Sequence, residues 1–195
     1  MMYVQQSLTK GEEIVRMGHF HWMYTVSAVS WIVIGIALSI GILWGGVQVQ
    51  LMSDLSSQFQ NLPDNLVPQA KERIIESRGG LFQMVLGLHP GIKILAFVMF
   101  IFGLFSFARM MVIKATTEIA VTNKRMICKQ GLIARHVTEM SVDRVEGVNV
   151  YQGILGRIFG YGSLIVRGMG VGEVHLPPIE QPIAFRQAIE KSKMV

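Results

Sequence analysis

The sequence predicts two parts: a hairpin of two membrane-spanning helices and a C-terminal α+β domain. Two long apolar runs predict the hairpin. Short strands of alternating pattern follow the second run and predict an antiparallel β-barrel or sandwich capped by one C-terminal helix. Only 16% of the 195 residues are charged, whereas soluble domains carry about 25%. Much of the surface is therefore expected to face something other than water.

Residues 1–21 form a polar leader whose charges cancel, with Lys10 and Arg16 against Glu12 and Glu13. The mixed charge, and the length of the apolar run that follows, argue against a cleavable signal peptide. We expect a juxtamembrane leader on the cytoplasmic side.

The first predicted span covers residues 22–47 and contains no charged residue. About 20 apolar residues cross the hydrocarbon core at 1.5 Å per residue, so this run is long enough. Trp22 and Trp44 stand near its ends, where amphipathic rings favour the membrane interfaces. A buried helix of a soluble protein is the alternative.

Small residues recur every fourth position on this span, at Ala37, Gly41 and Gly45. Such a row lets two helix backbones approach closely. It packs the first span either against the second or against a neighbouring copy, so a homo-oligomer is one expectation.

The segment at 48–91 is too long for a simple hairpin loop. Residues 69–78 predict a short charged helix, and residues 81–88 are apolar but too few to span. We expect this extracytoplasmic segment to lie at the interface, with a re-entrant or partner-binding element as the alternative.

The second predicted span covers residues 92–113, with Lys93 and Arg109 near its ends. Both side chains can reach the headgroups while their stems stay apolar, although Arg109 as a buried functional charge is an alternative. From Ser106 onward twelve Lys and Arg residues stand against seven Asp and Glu. Because Lys and Arg accumulate on the cytoplasmic side of spans, both termini are expected in the cytoplasm.

Residues 114–195 predict the β domain. Pro182 fits the first turn of the capping helix. The expected strands are 117–122, 125–130, 136–142, 145–152, 163–167 and 173–176.

Four motifs carry a resemblance to a known family. They are the leader Leu-Thr-Lys-Gly-Glu at 8–12, the His21-Trp22 pair, Thr-Glu-Ile-Ala-Val-Thr-Asn-Lys-Arg at 117–125 followed by Gly-Leu-Ile at 131–133, and the glycine-rich stretch at 153–162. Together they resemble the bacterial pleckstrin-homology-like (bacterial PH domain) family of membrane proteins. Gln181 stands where that pattern has an acidic residue, and the segment at 48–91 falls outside it. The resemblance implies a seven-stranded, helix-capped fold, similar to eukaryotic phosphoinositide-binding domains, at the bacterial inner membrane.

Basic residues near the second span are the candidate lipid- or partner-binding site: Lys114, Lys124, Arg125 and Arg157. Each Lys or Arg held near an anionic leaflet contributes about 1 kcal/mol. In eukaryotic relatives of the fold headgroups bind at the first hairpin, which nominates Lys124 and Arg125 by position. Simple enrichment of cations on the cytoplasmic side predicts the same residues, and a surface salt bridge is the alternative for Arg157.

No residue pattern predicts catalysis, a metal site or a cofactor. The five histidines are scattered, and the glycine-rich stretch lacks the Lys-Ser/Thr of a phosphate-binding loop. Nucleic acid is not an expected partner, because the basic domain lacks a pattern of aromatic residues for stacking on bases.

Two functions remain open. In the first, the chain is a membrane-anchored scaffold that assembles itself or partner proteins at the cytoplasmic face. In the second, it is a lipid-headgroup-binding or lipid-transport accessory protein that grips anionic phospholipids.

Overall fold

The computed structural model describes residues 2–59, 63–132, 134–170 and 172–194. The chain divides into two compact units. The first, here called the β unit, comprises residues Met1–Ala28 and Arg109–Val195, and the second, the helical unit, comprises Val29–Ala108. Both boundaries between the units fall inside long helices.

Two long helices, α2 (Trp22–Gln58) and α5 (Pro90–Thr116), supply most of the helical unit. Both are long and apolar enough to cross a membrane, and only 11% of the most apolar window of each is buried. The helix α2 continues well past the predicted span end at residue 47, because Leu51 and Leu55 in its last turns are buried in an apolar cluster with Ile74.

The contact between α2 and α5 depends on two glycines. A Cβ atom added at Gly103 would lie 2.6 Å from the carbonyl oxygen of Trp31 and 2.9 Å from Cα of Gly35. Only glycine, whose side chain is a single hydrogen atom, allows this approach. The Trp31 and Phe102 rings meet edge to face beside it, with centroids 6.2 Å apart.

The small-residue row of the sequence analysis is not at this contact. Ala37, Gly41 and Gly45 are exposed, and nothing lies within 4 Å of a Cβ added at either glycine. The expectation that the row packs α2 against α5 is therefore wrong, because Gly35 occupies that face of the helix. Packing against another copy stays a prediction.

The segment between the long helices is folded. A 3₁₀ turn (Asp64–Leu66), α3 (Val67–Ser77) and α4 (Leu81–Gly87) follow α2. Their apolar faces pack on the end of α2 around Leu51, Ile74 and Met84. An ion pair of 2.9 Å between Arg78 and Asp54 adds a link to α2.

The β unit contains two antiparallel sheets, ordered β1-β2-β3-β4 and β5-β6-β7. Among the described residues they form two separate sheets, and Phe20, which follows β1, forms an isolated bridge with Ile179 of β7. The two antiparallel sheets and the C-terminal helix are consistent with the predicted fold class. The strands are β1 (Ile14–Gly18), β2 (Glu118–Thr122), β3 (Arg125–Gln130), β4 (His136–Ser141), β5 (Val145–Tyr151), β6 (Tyr161–Gly168) and β7 (Gly172–Glu180).

Six of these strands were located from the sequence, whereas the seventh was implied by the family resemblance but not located. The strand β1 comes from the leader and pairs with β2 over Ile14–Gly18. A short helix, α1 (Met2–Ser7), precedes it and places Val4 over Ala120 and Ile127. The leader thus belongs to the β unit.

The core lies between the two sheets and α7 (Pro182–Ser192). Alternation along β2 directs Ile119 and Val121 into it, where they meet Phe185 and Ile189 of α7. The short helix α6 (Ile154–Phe159) lies in the connection between the paired strands β5 and β6.

Candidate functional site

Arg125 of the first hairpin makes several hydrogen bonds to the leader. Arg125 opens β3, and its Nε and Nη2 donate to the two Glu12 carboxylate oxygens at 2.9 and 3.0 Å. Its Nη1 donates to Glu139 at 2.7 Å, and Nη2 also donates to the Ser7 carbonyl oxygen at 2.6 Å. The Glu12 side chain is 1% exposed and that of Arg125 is 22% exposed. This cluster of Glu12, Arg125 and Glu139 is called the leader clasp.

Glu12 and Arg125 both stay ionised within the leader clasp. Burial alone raises the pKa of Glu12, but hydrogen bonds from Arg125, from Thr9 and from the Thr122 hydroxyl outweigh it and lower the pKa to about 2. The hydrogen bond to Glu12 raises the pKa of Arg125 further above its ordinary value.

The leader clasp changes the assignment of Arg125. Its donors are directed at Glu12, Glu139 and the Ser7 carbonyl, so this residue has a role in folding. Binding of a headgroup by Arg125 stays a prediction. Its neighbour Lys124 is exposed and donates one hydrogen bond of 3.1 Å to the Lys10 carbonyl oxygen. An ammonium carries three donors, so Lys124 retains capacity for an anion.

The other predicted basic residues lie apart from one another. Lys114, in the last turn of α5, donates to the Thr25 hydroxyl of α2 at 2.5 Å and lines a cavity with Phe20 and Glu118. Arg157 is exposed on α6. The structure therefore does not gather the four nominated cations into one pocket.

The predicted interface residues are placed as follows. Trp22 and Trp44 are more than half exposed. Lys93 donates to the Leu86 carbonyl oxygen at 2.8 Å, which closes the turn from α4 into α5, and Arg109 is exposed on α5. Their position at a membrane interface stays a prediction.

A buried histidine fixes the start of α2 on the β unit. His21 stacks on Tyr161 of β6 with ring centroids 5.1 Å apart, and its Nδ1 accepts a hydrogen bond of 3.2 Å from the Met23 amide. The Glu180 amide of β7 donates to the His19 carbonyl oxygen at 2.9 Å. Trp22, the first residue of α2, then meets Phe159 edge to face at 5.7 Å.

Sequence reasoning missed these roles of Glu12 and His21. Glu12 lies in the stretch at 8–12 and His21 in the His21-Trp22 pair, two motifs that were noted in the sequence without any contact being assigned to them. Their partners are far along the chain, at Arg125 and Tyr161, and only folding brings them together.

In the described part of the chain, no three His, Cys, Asp or Glu side chains lie close enough together to bind a metal ion. The single cysteine, Cys128, is buried in the core, and burial raises the pKa of its thiol.

A comparison of the chain with protein families decides its membership. The sequence model of the family described as Bacterial PH domain matches residues 66–193. The chain belongs to this family. The match takes in α5 and all the strands from β2 to β7, whereas β1 and α2 precede it. No curated protein and no solved structure matches the chain.

Membership confirms the resemblance noted in the sequence and gives a coarse function. The match covers the motifs at 117–133 and 153–162, whereas the leader and the His21-Trp22 pair precede it. It also includes residues 66–91, which were expected to fall outside the family pattern. A bacterial PH domain indicates a module that binds proteins or lipids. The two long apolar helices suggest that this module is associated with a membrane.

Proposed function

We propose that this bacterial PH domain protein is a membrane-anchored scaffold. In this proposal α2 and α5 cross the bacterial inner membrane, both termini lie in the cytoplasm, and the β unit assembles further copies or partner proteins at the cytoplasmic face.

The exposed apolar surface of α2 and α5 carries the proposal. Residues 22–47 of α2 and 94–108 of α5 contain no charged residue, and large side chains such as Ile40, Phe97 and Phe105 are more than 60% exposed. Exposure of an apolar surface of this size to water is unfavourable, whereas lipid tails are as apolar as the side chains and can cover it.

Membrane insertion is tested by flotation and by alkaline extraction of membranes that contain the full chain. We expect the protein to float with bilayers and to stay in them at high pH. Release by alkali would contradict insertion. A reporter fused after Val195 should be active only in the cytoplasm, and activity outside would contradict the orientation.

The free face of α2 supports assembly of copies. Ala37, Gly41 and Gly45 are exposed on it, and a second helix could approach there as Gly35 and Gly103 approach within the chain. Oxidative crosslinking of Gly41→Cys in membranes tests this. Ile36→Cys is the matched control, because Ile36 is also exposed but projects about 140° away around the helix. Crosslinking at both positions, or at neither, would contradict a specific dimer face.

Lipid-headgroup binding is the second candidate, because Lys124 is exposed at the first hairpin. The test is the amount of anionic phospholipid that copurifies with the full chain in mild detergent. We expect Lys124→Ala to reduce it if this function holds, with Lys10→Ala as the neighbouring control. Arg125→Ala is unsuitable, because it would disrupt the leader clasp.

A further inference from the structure

The short helix α6, which connects β5 and β6, exposes large apolar side chains. Ile154 is 82% exposed and Ile158 69% exposed, and Leu155 beside them is more than half exposed. Residues four apart lie on one face of a helix, so Ile154 and Ile158 form one ridge.

The orientation of this ridge is built into the fold. Gly156 is the buried residue of α6, and a Cβ there would lie 2.6 Å from the Tyr161 carbonyl oxygen. The Gln152 amide donates to the carbonyl oxygens of Gly156 at 3.3 Å and Tyr161 at 3.0 Å. Because α6 is held this tightly against β6 by its glycine side, its large apolar side chains must point outward.

The ridge is continuous with the start of the apolar helix α2. Phe159, the last residue of α6, contacts Trp22, and Trp22 is where the uncharged run of α2 begins. Tryptophan favours the membrane–water interface, which sets the level of α6.

Charge on α6 fits the same surface. Arg157 is exposed next to Ile158, and its long stem allows the guanidinium to reach phosphate groups while the isoleucines stay in apolar surroundings. A second apolar side chain stands where α5 ends: Leu132 is exposed and lines a groove with Val112 and Ile113. The ends of both long helices in the β unit are thus accompanied by exposed apolar residues.

We propose that α6 is an interfacial anchor, in which Ile154, Leu155 and Ile158 insert at the headgroup–acyl boundary of the leaflet that α2 enters at Trp22, with Arg157 at the lipid phosphates. This inference rests on the proposed membrane insertion of α2. Its consequence is that the β unit is held against the bilayer by a third point of attachment besides the two long helices.

Spin-label accessibility in the full chain tests the anchor. The variants Ile158→Cys and Leu155→Cys are labelled in vesicles of phosphatidylethanolamine and phosphatidylglycerol, and collisions with oxygen are compared with those of a water-soluble nickel chelate. Met169→Cys is the matched control, because Met169 is 61% exposed and follows the opposite end of β6. Eight strand residues separate the two ends, which is about 26 Å. The native Cys128 is buried, and the unmutated chain serves as the blank.

We expect the ratio of oxygen to nickel collisions to be several-fold higher at Ile158 and Leu155 than at Met169. Equal ratios at the three positions would overturn the anchor, since the ridge would then lie in water. Low collision rates with both reagents at Ile158 and Leu155 would also overturn it, because a second copy or a partner protein would then cover the ridge.

A label at Leu38, exposed on α2, separates this inference from the proposed function. A lipid-type ratio at Leu38 with a water-type ratio at Ile158 would reject the anchor and leave the membrane span intact. A water-type ratio at Leu38 would reject both.

Discussion

Glu12 and Arg125 connect two ends of the β unit that are more than a hundred residues apart in the chain. The carboxylate of Glu12 is almost completely buried, yet it accepts hydrogen bonds from Arg125, Thr9 and Thr122. Removing one partner of such a pair costs more than the pair contributes, because the remaining charge stays desolvated.

Replacing Glu12 with Gln should therefore destabilise the β unit by about 3 kcal/mol, since Arg125 would lose its buried counter-charge. Thermal unfolding of the full chain in detergent, followed by circular dichroism, measures the change. Glu13→Gln is the matched control, because Glu13 is adjacent and exposed, and we expect it to change stability by less than about 0.5 kcal/mol. Equal effects of the two variants would refute a structural role for the leader clasp.

The same carboxylate predicts a pH dependence. The pKa of Glu12 is about 2 in the folded state against 4.5 ordinarily, so the unfolded state binds more protons between those values. Stability from Glu12 is thus complete above about pH 5 and is lost as the pH falls towards about 2. Glu118 contributes in the same direction: burial raises its pKa, but the hydrogen bond from the Val4 amide helps to lower it overall.

Unfolding midpoints measured across this acid range should fall with pH in the parent chain and fall less steeply in Glu12→Gln. An unchanged slope in the variant would show that Glu12 does not titrate with folding.

At the scale of elements, the contact of α2 with α5 rests on backbone approach rather than on side-chain interlocking. Gly35 and Gly103 face each other, and the Trp31 and Phe102 rings close the contact at one side. Lipid tails are as apolar as leucine, so close packing of this kind is what holds membrane helices together.

Gly103→Val should separate the two helices, because its side chain would overlap the Trp31 carbonyl and the Gly35 backbone. Overpacking of this size costs about 1–3 kcal/mol, measurable as a lower unfolding midpoint in detergent. Gly87→Val introduces the same side chain into open space at the end of α4 and should leave the midpoint nearly unchanged. The contact is wrongly assigned if Gly87→Val proves the more damaging variant.

At the scale of the whole molecule, the leader completes the first sheet. The strand β1 covers the edge of β2, and a Cβ at Gly18 would lie only 3.2 Å from Ile119 and 3.3 Å from Phe185. Without β1 the edge of β2 would present unpaired backbone groups and the core would be open on that side.

Deleting residues 2–18 should consequently expose the β unit to exchange and proteolysis. Hydrogen exchange of the β2 amides, compared between the deletion variant and the full chain, provides the measurement. We expect protection to be lost at the amides that pair with β1 and to be reduced less at those that pair with β3. Val15→Ser is the control, because the Val15 side chain is exposed on β1 and its loss leaves the strand pairing in place. Full protection of β2 after the deletion would mean that the sheet does not need the leader.

The sequence alone predicted the two long helices, six strands and the capping helix, because apolar period and turn residues are local signals. The family resemblance was also readable, since its motifs are short stretches of chain. The row at Ala37, Gly41 and Gly45 left two packing partners open, because small residues indicate that a close approach is possible but not which helix makes it. The structure places Gly35 instead at the contact with α5.

Tertiary structure alone decided which residues meet. It turned the leader into β1, directed Arg125 to Glu12 instead of outward, and placed Trp22 against Phe159. The physical reason is that these contacts join positions from 101 (Gly18 and Ile119) to 137 (Trp22 and Phe159) residues apart, where pairing depends on the path of the whole backbone. Whether a charged side chain such as Arg125 forms an ion pair or faces solvent depends on its neighbours in space, and no short stretch of sequence specifies those neighbours.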